Sequence, residues 1–349
     1  MLAAFFYGDG RIELKDAEEP NLAGDEALLR VMATGICGSD LHIKYGKYPL
    51  GLKYPMIPGH EVTGEVVKVG KHVKPFVAGD RVVIEPHAGC EICINCVRGY
   101  RSSCLYYGTE LDRVIGFTVP GGFAEYVAVP SRNLHKLPES VEYETGTLLT
   151  TAGTPMFGVE QIGIEAGDTV AILGTGPVGL LALQIVKAKG AGEIIMTGRR
   201  DQRLGLAKDL GADKTINVTK EDFVQRIKEM TDGVGVDVVV ESAGVPENFS
   251  KSLEIVRKGG RVLLLAFYGG ERIQTHIDQV VIKGITLKGT RGEAQGGLAK
   301  SIRLAKAGKL KLEPLLTHKF RLAKIAEAFD VHEKRIGDPI KVAILVGAA

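Results

Sequence analysis

The chain is short of cysteine everywhere except in one place. Of five cysteines in 349 residues, four stand at positions 90, 93, 96 and 104 and the fifth at 37. An excess of charge is missing too. The 44 Lys and Arg are interleaved with 42 Asp and Glu, for a net charge of +2, which is no basis for a nucleic-acid or membrane partner. No apolar run approaches the roughly 18 residues needed to span a bilayer. The N-terminal "MLAAFFYGDGRIELKD" lacks a basic stretch ahead of its short apolar run, so it reads as a first strand and not as a signal peptide. The expected location is the cytoplasm, where thiols stay reduced and clustered cysteines hold metal more often than they form disulfides. Length and ordinary composition imply about two domains of roughly 150 residues, each able to bury its own core.

What is present begins with "GCEICINCVRGYRSSC". Its Cys-x2-Cys-x2-Cys-x7-Cys spacing lets Cys90, Cys93, Cys96 and Cys104 fold onto one cation. Four thiolates close a tetrahedron around zinc and leave no place for substrate, so the expected zinc is structural, stiffening a loop with little apolar material of its own. An iron–sulfur cluster is the alternative metal reading, but its bacterial spacing ends in Cys-Pro, and Leu105 follows Cys104 here. Disulfides require a different compartment.

Further on, an apolar strand from Thr169 to Leu173 runs into Gly174-Thr175-Gly176-Pro177-Val178-Gly179, a helix-patterned segment and a second strand from Ile194 to Thr197. The glycine spacing alone is weak. Between strand and helix it becomes a dinucleotide fingerprint: Gly174 for the tight turn, Gly176 for backbone approach to the pyrophosphate, Gly179 for close helix–strand packing. The anion then faces a helix N-terminus. Strands in "VDVVVESAG", "RVLLLAF" and "GITLKGT", separated by helices such as 247–257, continue the alternation into a parallel sheet. Also lacking is the acidic residue that accepts from the ribose 2′-hydroxyl in NAD enzymes. At that place stand Gly198, Arg199 and Arg200, whose guanidinium groups suit a 2′-phosphate and hence NADP(H). A solvated arginine pair is the plainer alternative.

In the first 150 residues, "GICGSDLH" and "PGHEVTGEV" supply Cys37 and His60, ligand types a catalytic zinc uses, with Glu61 directly following. Either alone would pass for a buried thiol or a core histidine. Together, in a chain with an independent dinucleotide motif, they point to a metal centre.

The chain resembles the zinc-dependent medium-chain alcohol dehydrogenases over essentially its whole length. The resemblance rests on Cys37-Gly-Ser-Asp-Leu-His42, Gly59-His60-Glu61, the four-cysteine lobe, Gly122-Phe123-Ala124-Glu125-Tyr126 and the glycine motif, with "KLKLEPLLTHKFRLAKIAEAFD" near the C-terminus. It is most similar to the polyol, threonine and sugar dehydrogenase branch, and His87 matches a histidine of threonine dehydrogenases. The resemblance implies an α/β protein: a GroES-like β-rich catalytic domain over 1–153, completed by 291–349, and a Rossmann doubly wound parallel-sheet domain over 154–290. It implies one catalytic and one structural zinc, NADP(H), a small alcohol, polyol or sugar substrate in a cleft between the domains, and a homo-oligomer, tetramer or dimer. Ser39 would relay the substrate proton through the coenzyme ribose to His42.

One departure matters. The family's third zinc ligand is a Cys, Asp or Glu where this chain has Thr151, a poor ligand. Either Glu61 ligates directly, as in similar glucose dehydrogenases, or the catalytic metal is weak or absent; Glu144 is a distant third candidate. His87 either lines the substrate pocket or orients the cysteine lobe. His72, His135, His276, His318 and His332 read as surface or structural. Two rival functions remain: a zinc-free NADPH-dependent reductase of the same superfamily, and a non-catalytic NADPH-binding protein.

Overall fold

The structure is a computed structural model that describes residues 1–347. It divides into two compact units, the first containing Met1–Thr151, Glu293–Lys306 and the chain from Leu312 onward, the second Ala152–Gly292 and Ala307–Lys311. Among the described residues no helix is long and apolar enough to cross a membrane.

The first unit opens with strands β1 (Leu2–Phe6) and β2 (Ile12–Asp16), then β3 (Glu26–Ile36), helix α1 (Gly38–Lys44), β4 (Glu61–Val69), β5 (Arg81–Ile84) and the short α2 (Ile94–Val97). Strands β6 (Tyr126–Pro130) and β7 (Leu134–Lys136) follow, and α3 (Tyr143–Ile162) runs across the boundary at Thr151.

The second unit alternates strand and helix: β8 (Thr169–Leu173), α4 (Pro177–Ala188), β9 (Glu193–Gly198), α5 (Asp201–Asp209), β10 (Lys214–Asn217), α6 (Phe223–Met230), β11 (Val236–Glu241), α7 (Pro246–Ile255), β12 (Val256–Leu264), α8 (Asp278–Ile282) and β13 (Thr286–Gly289). The first unit is then completed by α9 (Gly297–Lys306), β14 (Leu316–Arg321), α10 (Ile325–Lys334) and β15 (Lys341–Leu345).

In the second unit six parallel strands lie in the order β10-β9-β8-β11-β12-β13. This is the doubly wound arrangement, whose order reverses between β8 and β11. Helices on both faces require apolar residues on both sides of the central strands, and Val170 to Leu173 and Val238 to Val240 are all fully buried. The helix expected over 247–257 stops at Ile255, and Val256 already pairs in β12. Pairing explains the early stop: Val256 is extended (φ −74°, ψ 138°) and joins β11 at Val236, and Gly235 lets the two segments approach, since a Cβ there would stand 3.0 Å from the Arg257 amide. The span 307–311 also departs from the expected boundaries. It belongs with the second unit, where Gln184 accepts from the Lys311 amide at 2.6 Å and donates to its carbonyl at 3.2 Å.

In the first unit a seven-stranded sheet runs β14-β15-β3-β4-β5-β7, with β6 on β3. Its core includes three phenylalanines, Phe6, Phe123 and Phe329, with ring centroids 5.1 to 6.0 Å apart. Phe123 belongs to the segment that fixes the metal cluster described next.

Candidate metal and coenzyme sites

Strands β3 and β4 are antiparallel, and their register pairs Gly35 with Glu61. Cys37 follows β3 and caps α1; His60 and Glu61 stand at the start of β4. The ligand atoms of Cys37, His60 and Glu61 all lie within 4.8 Å of one another. Glycines fix this approach. Gly59 has φ +99°, and a Cβ there would sit 2.7 Å from the Phe123 amide, which donates to Pro58 at 3.0 Å. Gly35 leaves room for a lysine; a Cβ would meet Lys341 Cε at 2.9 Å.

Both oxygens of Glu61 are engaged. Thr151 donates its hydroxyl to Oε1 at 2.7 Å, and Lys341, at the first position of β15, pairs with Oε2. Glu61 and Lys341 are 2% and 1% exposed, so neither charge could be buried here without the other. Burial pushes the Glu61 carboxyl up, but Lys341 and His60 outweigh it and hold its pKa below the ordinary carboxylate value. Asp40, fully buried, accepts from the Cys37 amide at 2.8 Å and stands 3.5 Å from His60 Nδ1. Burial draws the His60 imidazole down; the charge of the nearby Asp40 carboxylate, with Cys37 alongside, overrides it and lifts the pKa well above the usual range.

A thiol, an imidazole and a carboxylate converging in a buried site form a donor set suited to zinc. Ser39 Oγ, one residue from Asp40, is buried without a hydrogen bond, whereas His42 on the same helix is exposed. Thr151 therefore sits behind Glu61 as its donor. Glu144 is turned away, paired with Lys319 at 2.8 Å.

The four-cysteine lobe forms a second cluster, with all sulfurs within 4.8 Å of one another and Cys90 and Cys96 at 3.9 Å. A zinc tetrahedron with bonds of about 2.3 Å has sulfur–sulfur edges of about 3.8 Å. Backbone amides of Cys93, Cys96 and Tyr106 point at the sulfurs of Cys90, Cys93 and Cys104 at 3.3 to 3.5 Å, favouring thiolates. An amide hydrogen bond from Leu105 leads in lowering the Cys93 thiol to about 6, while burial raises Cys96 and Cys104. The lobe's own apolar residues Ile92, Ile94, Val97 and Leu105 are exposed, so the sulfur cluster is the only core it has.

In the second unit the glycine turn joins β8 to α4. Gly174 has φ +109°, Gly176 caps the helix with open space where a Cβ would stand, and Pro177 occupies the first turn. At Gly179 a Cβ would lie 2.7 Å from Ser242 Oγ, so helix and strands approach as closely as the spacing implies. No side chain caps α4, which leaves Val178 and its neighbouring amides to an anion. Gly198 ends β9 against Thr175, and Arg203 reaches back to the Thr175 carbonyl at 3.3 Å. Arg199 and Arg200 are exposed at the strand end. The nearest carboxylate beyond them, Asp201, is tied to Lys220 at 2.6 Å and Asn217 at 2.7 Å.

Asp40, Lys341, Arg203 and the Thr151 contact were not identified from sequence. Lys341 carried a signal, a lone charge in the apolar run "IKVAILV", and Asp40 stands three residues after Cys37 at the position of a capping carboxylate. Among the remaining histidines His72 and His276 are exposed, His318 is half-buried, His135 pairs with Glu85 at 3.2 Å, and His332 is buried. His87 is buried against Glu293.

A doubly wound dinucleotide sheet and a thiol–imidazole–carboxylate cluster carried by one chain are the equipment of a metal-dependent oxidoreductase. Comparison with known proteins agrees. Residues 23–139 match the family described as alcohol dehydrogenase GroES-like domain, and 177–307 match zinc-binding dehydrogenase. An L-threonine 3-dehydrogenase of Pyrococcus horikoshii is 37% identical over 338 residues, 96% of this chain and 95% of its own. A zinc-binding dehydrogenase of Sinorhizobium meliloti, solved bound to NADP, is 30% identical with a TM-score of 0.90 over 99% of this chain and 98% of its own. The 2R,3R-butanediol dehydrogenase of Bacillus subtilis is 31% identical with a TM-score of 0.86 over 99% of each chain. The chain belongs to the zinc-dependent medium-chain alcohol dehydrogenase family.

Proposed function

We propose that the protein transfers hydride between a secondary alcohol, polyol or sugar hydroxyl and NADP(H), using one zinc held by Cys37, His60 and Glu61 and a second held by the cysteine lobe. The observation that carries the reading is the convergence of the Cys37, His60 and Glu61 ligand atoms within 4.8 Å, three donors in a site of this family. When bound, zinc supplies Lewis acidity toward an alcohol oxygen and the nicotinamide accepts hydride. The chain's own residues do the rest. Thr151 and Lys341 fix the Glu61 carboxylate, and Asp40 orients His60 and the Cys37 amide. Ser39 Oγ, buried and unpartnered, takes the hydroxyl proton, and exposed His42, three residues along α1, delivers it to solvent.

Exposed Arg199 and Arg200, with Asp201 neutralised by Lys220, support NADP(H) over NAD(H). The threonine dehydrogenase relatives therefore do not dictate the substrate. Clustered free thiols support a reducing, cytoplasmic setting. The exposed Val281 and Ile282 on α8, close in sequence to edge strand β13, support a homo-oligomer, tetramer or dimer.

The test combines metal analysis with NADP+ and NAD+ reduction over short alcohols, polyols, aldoses and threonine. Two zinc ions per subunit and a preference for NADP+ are expected. One zinc per subunit favours the zinc-free reductase, equal or better rates with NAD+ remove the arginine reading, and nucleotide binding without alcohol-dependent turnover favours a non-catalytic protein.

A further inference from the structure

The carboxyl edge of the coenzyme sheet holds a carboxylate that no cation compensates. Glu241 ends β11 and is fully buried, and among the described residues no Lys, Arg or His pairs with it. Neutral donors surround it instead. The amides of Ala243 and Gly244 donate to Oε1 at 2.9 and 3.2 Å, Asn248 donates its side-chain amide at 3.4 Å, and the Tyr268 hydroxyl donates to Oε2 at 2.9 Å. The first two fold the turn after β11 back onto its own strand. Ser242 in that turn donates to the Leu173 carbonyl at 2.8 Å, and a Cβ on Gly174 would stand 2.9 Å from the Ala243 side chain. The glycine turn and the turn after β11 are therefore packed on each other at the point where the strand order reverses.

Tyr268 brings in a third segment. Residues 265–277 join β12 to α8 with no helix or strand of their own, and Gly269 and Gly270 have φ +65° and +82°. Among the described residues the one side chain of this stretch that hydrogen-bonds to a strand is Tyr268. Gly244 lets the stretch lie close, since a Cβ there would stand 2.5 Å from the Phe267 carbonyl oxygen. Phe267 itself is 63% exposed beside this contact. Burial of Tyr268, and then the Glu241 charge, push its phenol pKa up, so the hydroxyl remains a donor across the neutral range. A dinucleotide whose 2′-phosphate meets Arg199 and Arg200 at the end of β9 crosses β8 at the glycine turn. Its nicotinamide half then falls on the side of β11 and β12. We propose that Tyr268 is a positioning residue: its bond to Glu241 latches 265–277 against the turn after β11 as the wall beside the nicotinamide half of the coenzyme. This rests on the dehydrogenase reading above and adds to it a residue that acts through the loop it holds.

Tyr268→Phe removes the latching hydroxyl and keeps the ring. The full-length zinc-loaded chain is titrated with NADPH, followed by its fluorescence, and by calorimetry with 2′,5′-ADP, which is the adenosine half alone. The variant should bind NADPH about tenfold more weakly, the order expected for one hydrogen bond to a charged group. Its affinity for 2′,5′-ADP should stay within about twofold of the unmodified protein's, whereas a merely structural role would weaken both ligands alike. Hydrogen exchange gives a readout that needs no substitution. In the unmodified protein NADPH should slow exchange of the amides in 265–277, and 2′,5′-ADP should not. In Tyr268→Phe that stretch should exchange faster before any ligand is added. Unchanged NADPH affinity, equal weakening of both ligands, or exchange in 265–277 that ignores NADPH overturns the proposal. NADH and AMP replace the two probes if the protein binds NADH and not NADPH, an outcome that removes only the arginine reading. If neither dinucleotide binds, the dehydrogenase reading fails and takes the latch with it.

Discussion

Thr151 donates its hydroxyl to Glu61 Oε1 at 2.7 Å, joining residues 90 positions apart. Thr151, a poor metal ligand itself, is thus the donor that orients the carboxylate beside it. Replacing it by valine keeps the shape and deletes the donor. Thr151→Val should weaken zinc at the Cys37 cluster by about 10- to 100-fold, the usual cost of losing a partner that orients a ligand. Competition with a chromophoric chelator measures it. Unchanged affinity would mean that Lys341 alone positions Glu61.

The cysteine lobe has only its sulfur cluster as a core, so removing one sulfur should open it locally and leave the sheets intact. In Cys104→Ser, trypsin should cut after Arg98 or Arg101, bonds that resist in the unmodified protein, and one zinc equivalent should be lost. Identical digestion patterns for the two proteins would show that the lobe folds without metal.

Ser39 Oγ is buried and unbonded, an arrangement that normally costs stability and that the proposed proton path would explain. Ser39→Ala should lower turnover about 100-fold, within the range of a single proton-transfer group. NADPH affinity, followed by its fluorescence, should stay within about twofold. A normal turnover number would remove Ser39 from the proton path.

His332, which feels the charges of Lys341, Asp40 and Glu61 at the candidate metal cluster, offers a pH test that reads stability and not turnover. Burial leads in lowering its pKa from 6.5 to about 4, with Lys341 and Arg335 adding repulsion. The folded chain therefore binds this proton less readily than the unfolded one. The stability tied to neutral His332 is full above about pH 6.5 and is lost as pH falls toward 4, by at most about 3 kcal/mol. His332→Gln should flatten the denaturation profile over that interval; a profile as steep as that of the unmodified protein would assign the acid sensitivity to other groups.

Much of the fold and half of the site were legible before the structure because their signals are local. Thr169 to Leu173 is β8 at both ends, since a fully buried strand reads as an unbroken apolar run. The glycine motif and the cysteine spacing are equally short-range. What escaped was long-range and electrostatic. Lys341 meets Glu61 only because β15 docks on β3, and Glu293 meets His87 only because the lobe anchors Gln295. Neither partner lies near its target in the chain, so no periodicity or spacing could disclose the pair.

The position of β15 has a consequence for the order in which the first unit assembles. Strand β3 pairs with β4, its neighbour in sequence, but the lysine that compensates Glu61 arrives on a strand from the far side of the second unit's sequence. The six strands of the second unit are contiguous in sequence and can pair among themselves. The Cys37, His60 and Glu61 cluster depends on the longer closure, which carries the larger entropic barrier, and Glu61 keeps its water until β15 docks.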